Sequence, residues 1–181
     1  MALIDTIQYI YDKLDNGEIV ISLFLDFKKA FDCVDHKILL NKMSAYGVRG
    51  VALEWFESYL SNRQQFVSIN GRSSGLRQVR CGVPQGSILG PLLFLIFIND
   101  FPKCSNFFKF TLFADDSTLS CSFKNSSREN IHGVLSHEIK PIKDWLMLNK
   151  IKINSEKSHF IAFSFRKNLE IPILFGNEFI N

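Results

Sequence analysis

The stretch FKFTLFADDSTLSCSF, residues 108–123, alternates apolar and polar residues on both sides of two adjacent acids, Asp115 and Asp116. Phe108, Phe110, Leu112 and Ala114 fall on one face, and Leu119, Cys121 and Phe123 resume the pattern after the acids. A period of two is that of a half-buried strand, so the segment predicts a hairpin with both carboxylates at its tip. Paired aspartates in a turn have an ordinary explanation, because the side chain bonds its own backbone there and stays hydrated.

A second acid placed against expectation gives the pair another meaning. Residues 19–25, IVISLFL, form a near-continuous apolar run that reads as a strand buried on both faces, and it ends at Asp26. A sheet that sets this strand beside the hairpin would bring Asp26, Asp115 and Asp116 together. Three such carboxylates repel one another and take up protons unless a cation sits among them. Hard oxygen ligands without histidine or cysteine suit magnesium or manganese better than zinc. Two such ions about 4 Å apart clamp the attacking and leaving oxygens of an in-line displacement, so phosphoryl transfer is the reaction class.

The rest of the chain supplies helices around these strands. Leu3, Ile7, Ile10 and Leu14 have helical spacing and Asn16-Gly17 ends that helix. Asp35 is placed to cap a helix carrying Ile38, Leu39, Met43 and Tyr46 up to Gly47, and a further helix over 51–60 is expected to bury Ala52, Trp55, Phe56 and Tyr59. Asn70-Gly71, inside an alternating segment, predicts a tight hairpin, because both central positions of such a turn favour positive φ. CGVPQGS is a loop, a core helix runs over 88–100 with Pro91 near its first turn, and 158–165 is a further strand. Ser126 and Glu129 have capping-box spacing before a helix with Ile131, Leu135, Ile139, Ile142, Trp145 and Leu146 inward, where Pro141 is a candidate kink. These elements predict one α+β domain, a mixed antiparallel sheet with helices on one face.

Composition excludes other classes. Twenty-one Lys and Arg against 18 Asp and Glu leave a net charge of +3, which permits a polyanionic partner without demanding one. Four cysteines lack CxxC or zinc spacing, so a reducing compartment is expected and neither a disulfide framework nor a metal knuckle. Residues 88–98, the longest apolar stretch, fall short of the roughly 20 a spanning helix requires. With no signal-like opening, an intracellular protein of nucleus or cytoplasm, not secreted and without a membrane partner, is the expectation.

Three motifs in order, FLDFKKAFDCVDH at 24–36, GVPQGSILGPLLF at 82–94 and FADD at 113–116, resemble the reverse transcriptase domain of non-LTR (LINE-type) retrotransposons. YLSNRQQFVSINGRSS at 59–74 and NKIKINSEKSHFIAF at 149–163 resemble that family's intervening segments. The resemblance runs over about the whole chain. It implies a right-hand polymerase palm, residues 1–181, that copies RNA into DNA with two magnesium ions, manganese being possible. Asp26 and Asp115 would then be metal ligands, with Asp116 completing the cluster. Phe27 and Phe31 would lie among the substrate-binding residues, Phe31 excluding the 2′-hydroxyl and so selecting deoxynucleotides. Pro84, Gln85 and Gly86 would form the loop that touches the incoming nucleotide and the template, and Lys157 would donate a proton to departing pyrophosphate. Partners would be an RNA template, a DNA primer and deoxynucleoside triphosphates. They would also include the fingers and thumb segments of a full-length polymerase, since the resemblance implies a core that starts after the upstream fingers motifs and stops before the thumb.

Other readings of the same residues stay open. Phe31 fits a core position, Gln85 an ordinary turn, Lys157 a solvated face or a phosphate contact, and Asp32 a helix start. Lys28 and Cys33 stand where the family commonly has serine and threonine. The four histidines show no partner pattern. A catalytically silent nucleic-acid-binding relic is the rival function, and an RNA-dependent RNA polymerase is disfavoured by Phe31.

Overall fold

A computed structural model of the chain describes residues 2–124, 127–165, 173–175 and 178–180. In chain order it contains α1 (Ala2–Asp15), β1 (Ile19–Leu25), a 3-10 turn at Ala30–Cys33, α2 (His36–Ala45) and α3 (Val51–Leu60). Four two-residue strands follow, β2 (Gln64–Gln65), β3 (Ser68–Ile69), β4 (Arg72–Ser73) and β5 (Arg77–Gln78), then α4 (Leu89–Ile98) and a second 3-10 turn at Phe101–Cys104. The last elements are β6 (Lys109–Phe113), β7 (Asp116–Phe123), α5 (Arg128–Glu138), α6 (Lys140–Leu148), β8 (His159–Phe163), β9 (Ile173–Phe175) and β10 (Glu178–Ile180). Two compact units result, one from Met1–Lys28 with Asp100–Asn181, the other from Lys29–Asn99. Among the described residues no helix is long and apolar enough to cross a membrane.

The first unit is built on a four-stranded sheet in the order β6-β7-β1-β8. Strand β1 lies between β7, in register from Ile19↔Phe123 to Leu25↔Ser117, and β8, in register from Val20↔Phe163 to Phe24↔His159. Ile19, Val20, Ile21, Leu23 and Leu25 are all buried. Each contributes about 2 kcal/mol relative to an exposed side chain, so the core sets this strand's position. Ser22 and Ser120, both buried, share a hydrogen bond of 2.8 Å and so satisfy each other inside the sheet.

Among the described residues all pairings of this sheet are antiparallel, as expected. One expectation for it is corrected. Its helices cover both faces instead of one, as the neighbours Lys109 and Phe110 show, since adjacent strand residues point to opposite faces. Lys109 reaches α1, with its Nζ 3.1 Å from the Asp5 carboxylate and 5.0 Å from the Tyr9 ring centre. Phe110 meets Phe101 edge-on at 5.1 Å, and Phe101 packs on Trp145 of α6 at 4.5 Å. The physical reason is β1 itself, because a nearly continuous apolar strand needs a cover on each side.

Helix α1 forms as its spacing predicts, with its apolar face largely open. Leu3 is 71% and Ile7 42% exposed, whereas Thr6 is buried. The inward row over α5 and α6 holds throughout, with Ile131, Leu135, Ile139, Ile142, Trp145 and Leu146 all buried. The row is shared by two helices that break after Glu138, with Pro141 in the first turn of α6, where a missing amide costs little. Ser126 lies outside the described residues, and the helix is capped by Ser127, whose hydroxyl accepts the Asn130 N–H at 3.3 Å.

In the second unit α2 packs against α3 and α4. Asp35 caps α2 as expected, its carboxylate accepting the Ile38 N–H at 3.1 Å. Helix α3 departs from expectation. Trp55 is 52% exposed and stacks on Tyr59 with ring centres 5.4 Å apart, and of the α3 residues only Leu60 is buried. Leu93, Phe94, Phe97 and Ile98 of α4 are buried as a core helix requires. The hairpin turns at Asn70 (φ +50°) and Gly71 (φ +75°), the paired positive values that the two residue types favour.

The loop before α4 docks on the segment after β1 through backbone bonds. Gly82 N–H donates to Val34 O at 2.8 Å, Val83 N–H to Phe31 O at 2.9 Å, and the His36 Nε2–H to Gly82 O at 2.8 Å. Gly82 has φ +89°, and a Cβ there would stand 2.9 Å from the Asp32 backbone. Gly82→Ala is therefore expected to destabilise the fold by about 3 kcal/mol, since both the dihedral and the contact oppose a side chain. Urea denaturation measures this as a lowered midpoint, and an unchanged midpoint would show that the docking needs no glycine.

Candidate active site

Strand register brings the acids to one end of the sheet. Leu25 pairs with Ser117, so Asp26, next after Leu25, and Asp116, next before Ser117, lie at the same end of the β1–β7 pair. The hairpin closes with the pair Phe113↔Asp116, which leaves Ala114-Asp115 as a two-residue loop. One acid is thus in the loop and the other opens β7, a refinement of the expected tip that carries both. Ala114 sits at φ +53°, a left-handed conformation that costs a residue with a Cβ about 1 kcal/mol. Tight closure beside a carboxylate is where such strain recurs.

Asp26 is held from a segment that precedes β8. Asn154 donates its side-chain amide to Asp26 Oδ2 at 3.0 Å and its backbone N–H to Asp26 O at 2.8 Å, while the Asp26 N–H donates to Ser158 Oγ at 3.0 Å. Phe27 bridges Ile153, and Lys28 N–H donates to Lys152 O at 2.8 Å. Asn154 and Ser158 were not singled out in the sequence. The signal available was an Asn and a Ser in the turn-forming run NSEKS, residue types that readily bond nearby backbone. Lys157 belongs to the same turn and is exposed, its N–H donating to Asn154 O at 3.2 Å. The Phe27 side chain is only 4% exposed and meets Phe101 edge-on at 6.1 Å, so its ring is a core element of the first unit.

Among the described residues no three His, Cys, Asp or Glu side chains form a group that could hold a metal ion. Magnesium does not require three, because it is usually bound by one or two carboxylates, waters and substrate phosphates. In donor chemistry Asp26, Asp115 and Asp116 fit such a hard cation. Next to Asp116 in sequence, the buried Ser117 Oγ has no hydrogen-bond partner among the described residues. The thiol of Cys121, two positions beyond Leu119 on the same strand, is pushed up to about 12 by burial and so is a packing group with no nucleophilic role.

The remaining predicted residues lie in the second unit. Phe31 is half-buried with its ring 4.7 Å from that of Phe94, and its carbonyl receives Val83. Gln85 is exposed and donates its amide to Asp32 Oδ1 at 2.8 Å, so Asp32 serves as a partner for that loop in place of the helix start expected of it. Pro84 is half-buried and its carbonyl accepts the Ser87 hydroxyl at 2.8 Å. Gly86 has φ +78° with open space around it, which leaves its backbone approachable.

A family model described as reverse transcriptase (RNA-dependent DNA polymerase) matches residues 3–174. The chain is 32% identical over 165 residues to a probable RNA-directed DNA polymerase from transposon BS of Drosophila melanogaster, covering 83% of this chain and 17% of that protein. It is 30% identical over 174 residues to the one from transposon X-element of the same organism, covering 92% and 18%. The polymerase from its mobile element jockey is 28% identical over 167 residues, covering 88% and 18%. This chain therefore spans under a fifth of the length of these relatives. Of solved structures, telomerase from Candida tropicalis with a fragment of telomeric RNA matches with a TM-score of 0.61 at 13% identity, covering 94% of this chain and 30% of that one. Telomerase from Candida albicans matches with a TM-score of 0.56 at 18% identity, covering 98% and 33%. These two likenesses concern the fold alone.

Proposed function

Because this chain belongs to the reverse transcriptase family, in the type carried by non-LTR retrotransposons, we propose that it is the palm of an RNA-directed DNA polymerase. The reaction is attack of a primer 3′-hydroxyl on the α-phosphate of a deoxynucleotide, along an RNA template. The observation that carries this reading is the β1–β7 register, which sets Asp26 at the same sheet end as the Asp115-Asp116 pair although they are distant in sequence.

Asp26 and Asp115 would hold magnesium, with Asp116 beside them, and the bound ions would supply charge neutralisation to the reacting phosphate. The chain's own contribution is positioning. Asn154 occupies Oδ2 of Asp26 and Ser158 fixes its backbone, so that carboxylate keeps one oxygen and one orientation for a ligand. Lys157, exposed in the same turn, is a proton donor for departing pyrophosphate. Phe31 denies space and a hydrogen bond to a 2′-hydroxyl, and Pro84, Gln85 and Gly86 form a loop for nucleotide and template, with Gln85 steadied by Asp32.

A second reading is nucleic-acid binding without chemistry, which the net charge of +3 permits. Primer extension on an RNA template with magnesium separates the two. Deoxynucleotide addition is expected, and binding of primer and template without any extension, in this chain and in a full-length polymerase that contains it, would favour the silent module.

A further inference from the structure

His36 shows no partner pattern in the sequence, yet the fold of the second unit gives it one. It is the first residue of α2, where the Asp35 cap fixes the helix start. Its half-buried ring reaches 46 positions along the chain to the carbonyl of Gly82. A carbonyl only accepts, so Nε2 carries the proton of this 2.8 Å bond. The acceptor is the oxygen of the Gly82–Val83 peptide unit, and the nitrogen of the same unit donates to Phe31 O at 2.9 Å. Gly82 and Val83 are both buried. A peptide unit is planar, so holding its oxygen sets the direction of its N–H. One rigid plane therefore joins His36 to the backbone of Phe31.

The residue before that plane is what makes the hold necessary. Gly82 has φ +89° and no Cβ, as the approach of the Asp32 backbone requires. Its N–H is tied to Val34 O at 2.8 Å, but a glycine turns about its Cα–carbonyl bond at little steric cost. Without the His36 donor the buried Gly82 carbonyl is left unmatched, a cost that rotation of the peptide unit relieves. That rotation swings the Val83 N–H off Phe31 O. The Phe31 ring, 4.7 Å from that of Phe94, hangs from the backbone so released. We propose that His36 is a positioning residue for sugar discrimination, which clamps the Gly82–Val83 peptide unit and through it fixes Phe31 beside the Pro84-Gln85-Gly86 loop. The proposal rests on the polymerase reading and adds a residue that sets its selectivity by acting through Phe31.

His36→Gln and His36→Asn test this as a pair. Glutamine carries an amide N–H donor at the same bond distance from the backbone as the ring Nε2, and asparagine stops one bond short. Hydrogen exchange on the 181-residue chain reads the clamp directly. In His36→Asn the Val83 amide should exchange at least about tenfold faster, the factor of one ordinary hydrogen bond, with the Ile21 amide in the middle of β1 unchanged. In the full-length polymerase the same variant should lower the ratio of kcat/KM for deoxynucleotide over ribonucleotide about tenfold, with kcat for the deoxynucleotide within about twofold of the parent. His36→Gln should hold both the Val83 rate and the sugar ratio within about twofold of the parent. A Val83 amide as protected in His36→Asn as in the parent would overturn the proposal, as would an unchanged sugar ratio beside a freed Val83, or failure of glutamine to restore either. Loss of protection at Ile21 together with Val83 would overturn it as well, by making His36 a residue of general stability. The exchange measurement needs neither metal nor extension. A parent polymerase that adds no nucleotide would therefore sink the polymerase reading, with Val83 still reporting on the clamp.

Discussion

Asp115→Asn is expected to lower magnesium-dependent primer extension about 10³-fold or more while leaving the fold intact. Asp115 occupies a two-residue loop, and its side chain makes no hydrogen bond or ion pair among the described residues. The amide has the shape of the carboxylate and removes one negative charge, so the change falls on cation binding and not on packing. If anything, relief of repulsion toward Asp116 and Asp26 should raise the melting temperature slightly. Single-nucleotide extension on an RNA template, measured in the full-length polymerase beside a thermal melt, checks both halves. A variant that extends at the parent's rate would remove Asp115 from the chemistry, and with it the reason for reading this sheet end as an active site.

Phe31→Ala is expected to reduce discrimination against ribonucleotides by about a hundredfold, read as the ratio of kcat/KM for deoxynucleotide and ribonucleotide. The ring is half-buried against Phe94, which holds it in place while leaving part of it open. On the proposed role of this ring, truncation to a methyl group would remove the steric bar to a 2′-hydroxyl. The same truncation loses packing, so a control is needed that has only the second effect. Ile142→Val truncates a buried side chain of α6, in the other unit, and should lower stability by about 1 kcal/mol with the sugar ratio unchanged. An unaltered ratio in Phe31→Ala would return Phe31 to the core role that its residue type also fits.

Legibility differed between the parts of the site for identifiable reasons. Asp26, Asp115 and Asp116 could be named from the sequence because each interrupts an apolar pattern, and patterns of period two are read directly. Asn154 and Ser158 could not, although they hold Asp26, because a side-chain bond to a residue more than a hundred positions away leaves no local trace. Gly82 was likewise silent, since its need for a positive φ and a bare Cα comes from the approach of the Asp32 backbone.

The amino-acid order alone determined what short-range forces settle. These are the helix and strand segments, the Asn70-Gly71 turn, the Asp35 cap and the burial of β1, each a matter of backbone dihedrals, neighbouring hydrogen bonds or residue periodicity. Tertiary structure decided which side of α1 and α3 is covered, that helices lie on both faces of the sheet, and how the strap from Lys152 to Ser158 restrains Asp26. Those outcomes depend on partners distant in the chain. A helical period says that one face is apolar, but only the shape of the neighbouring element determines how much of that face leaves water.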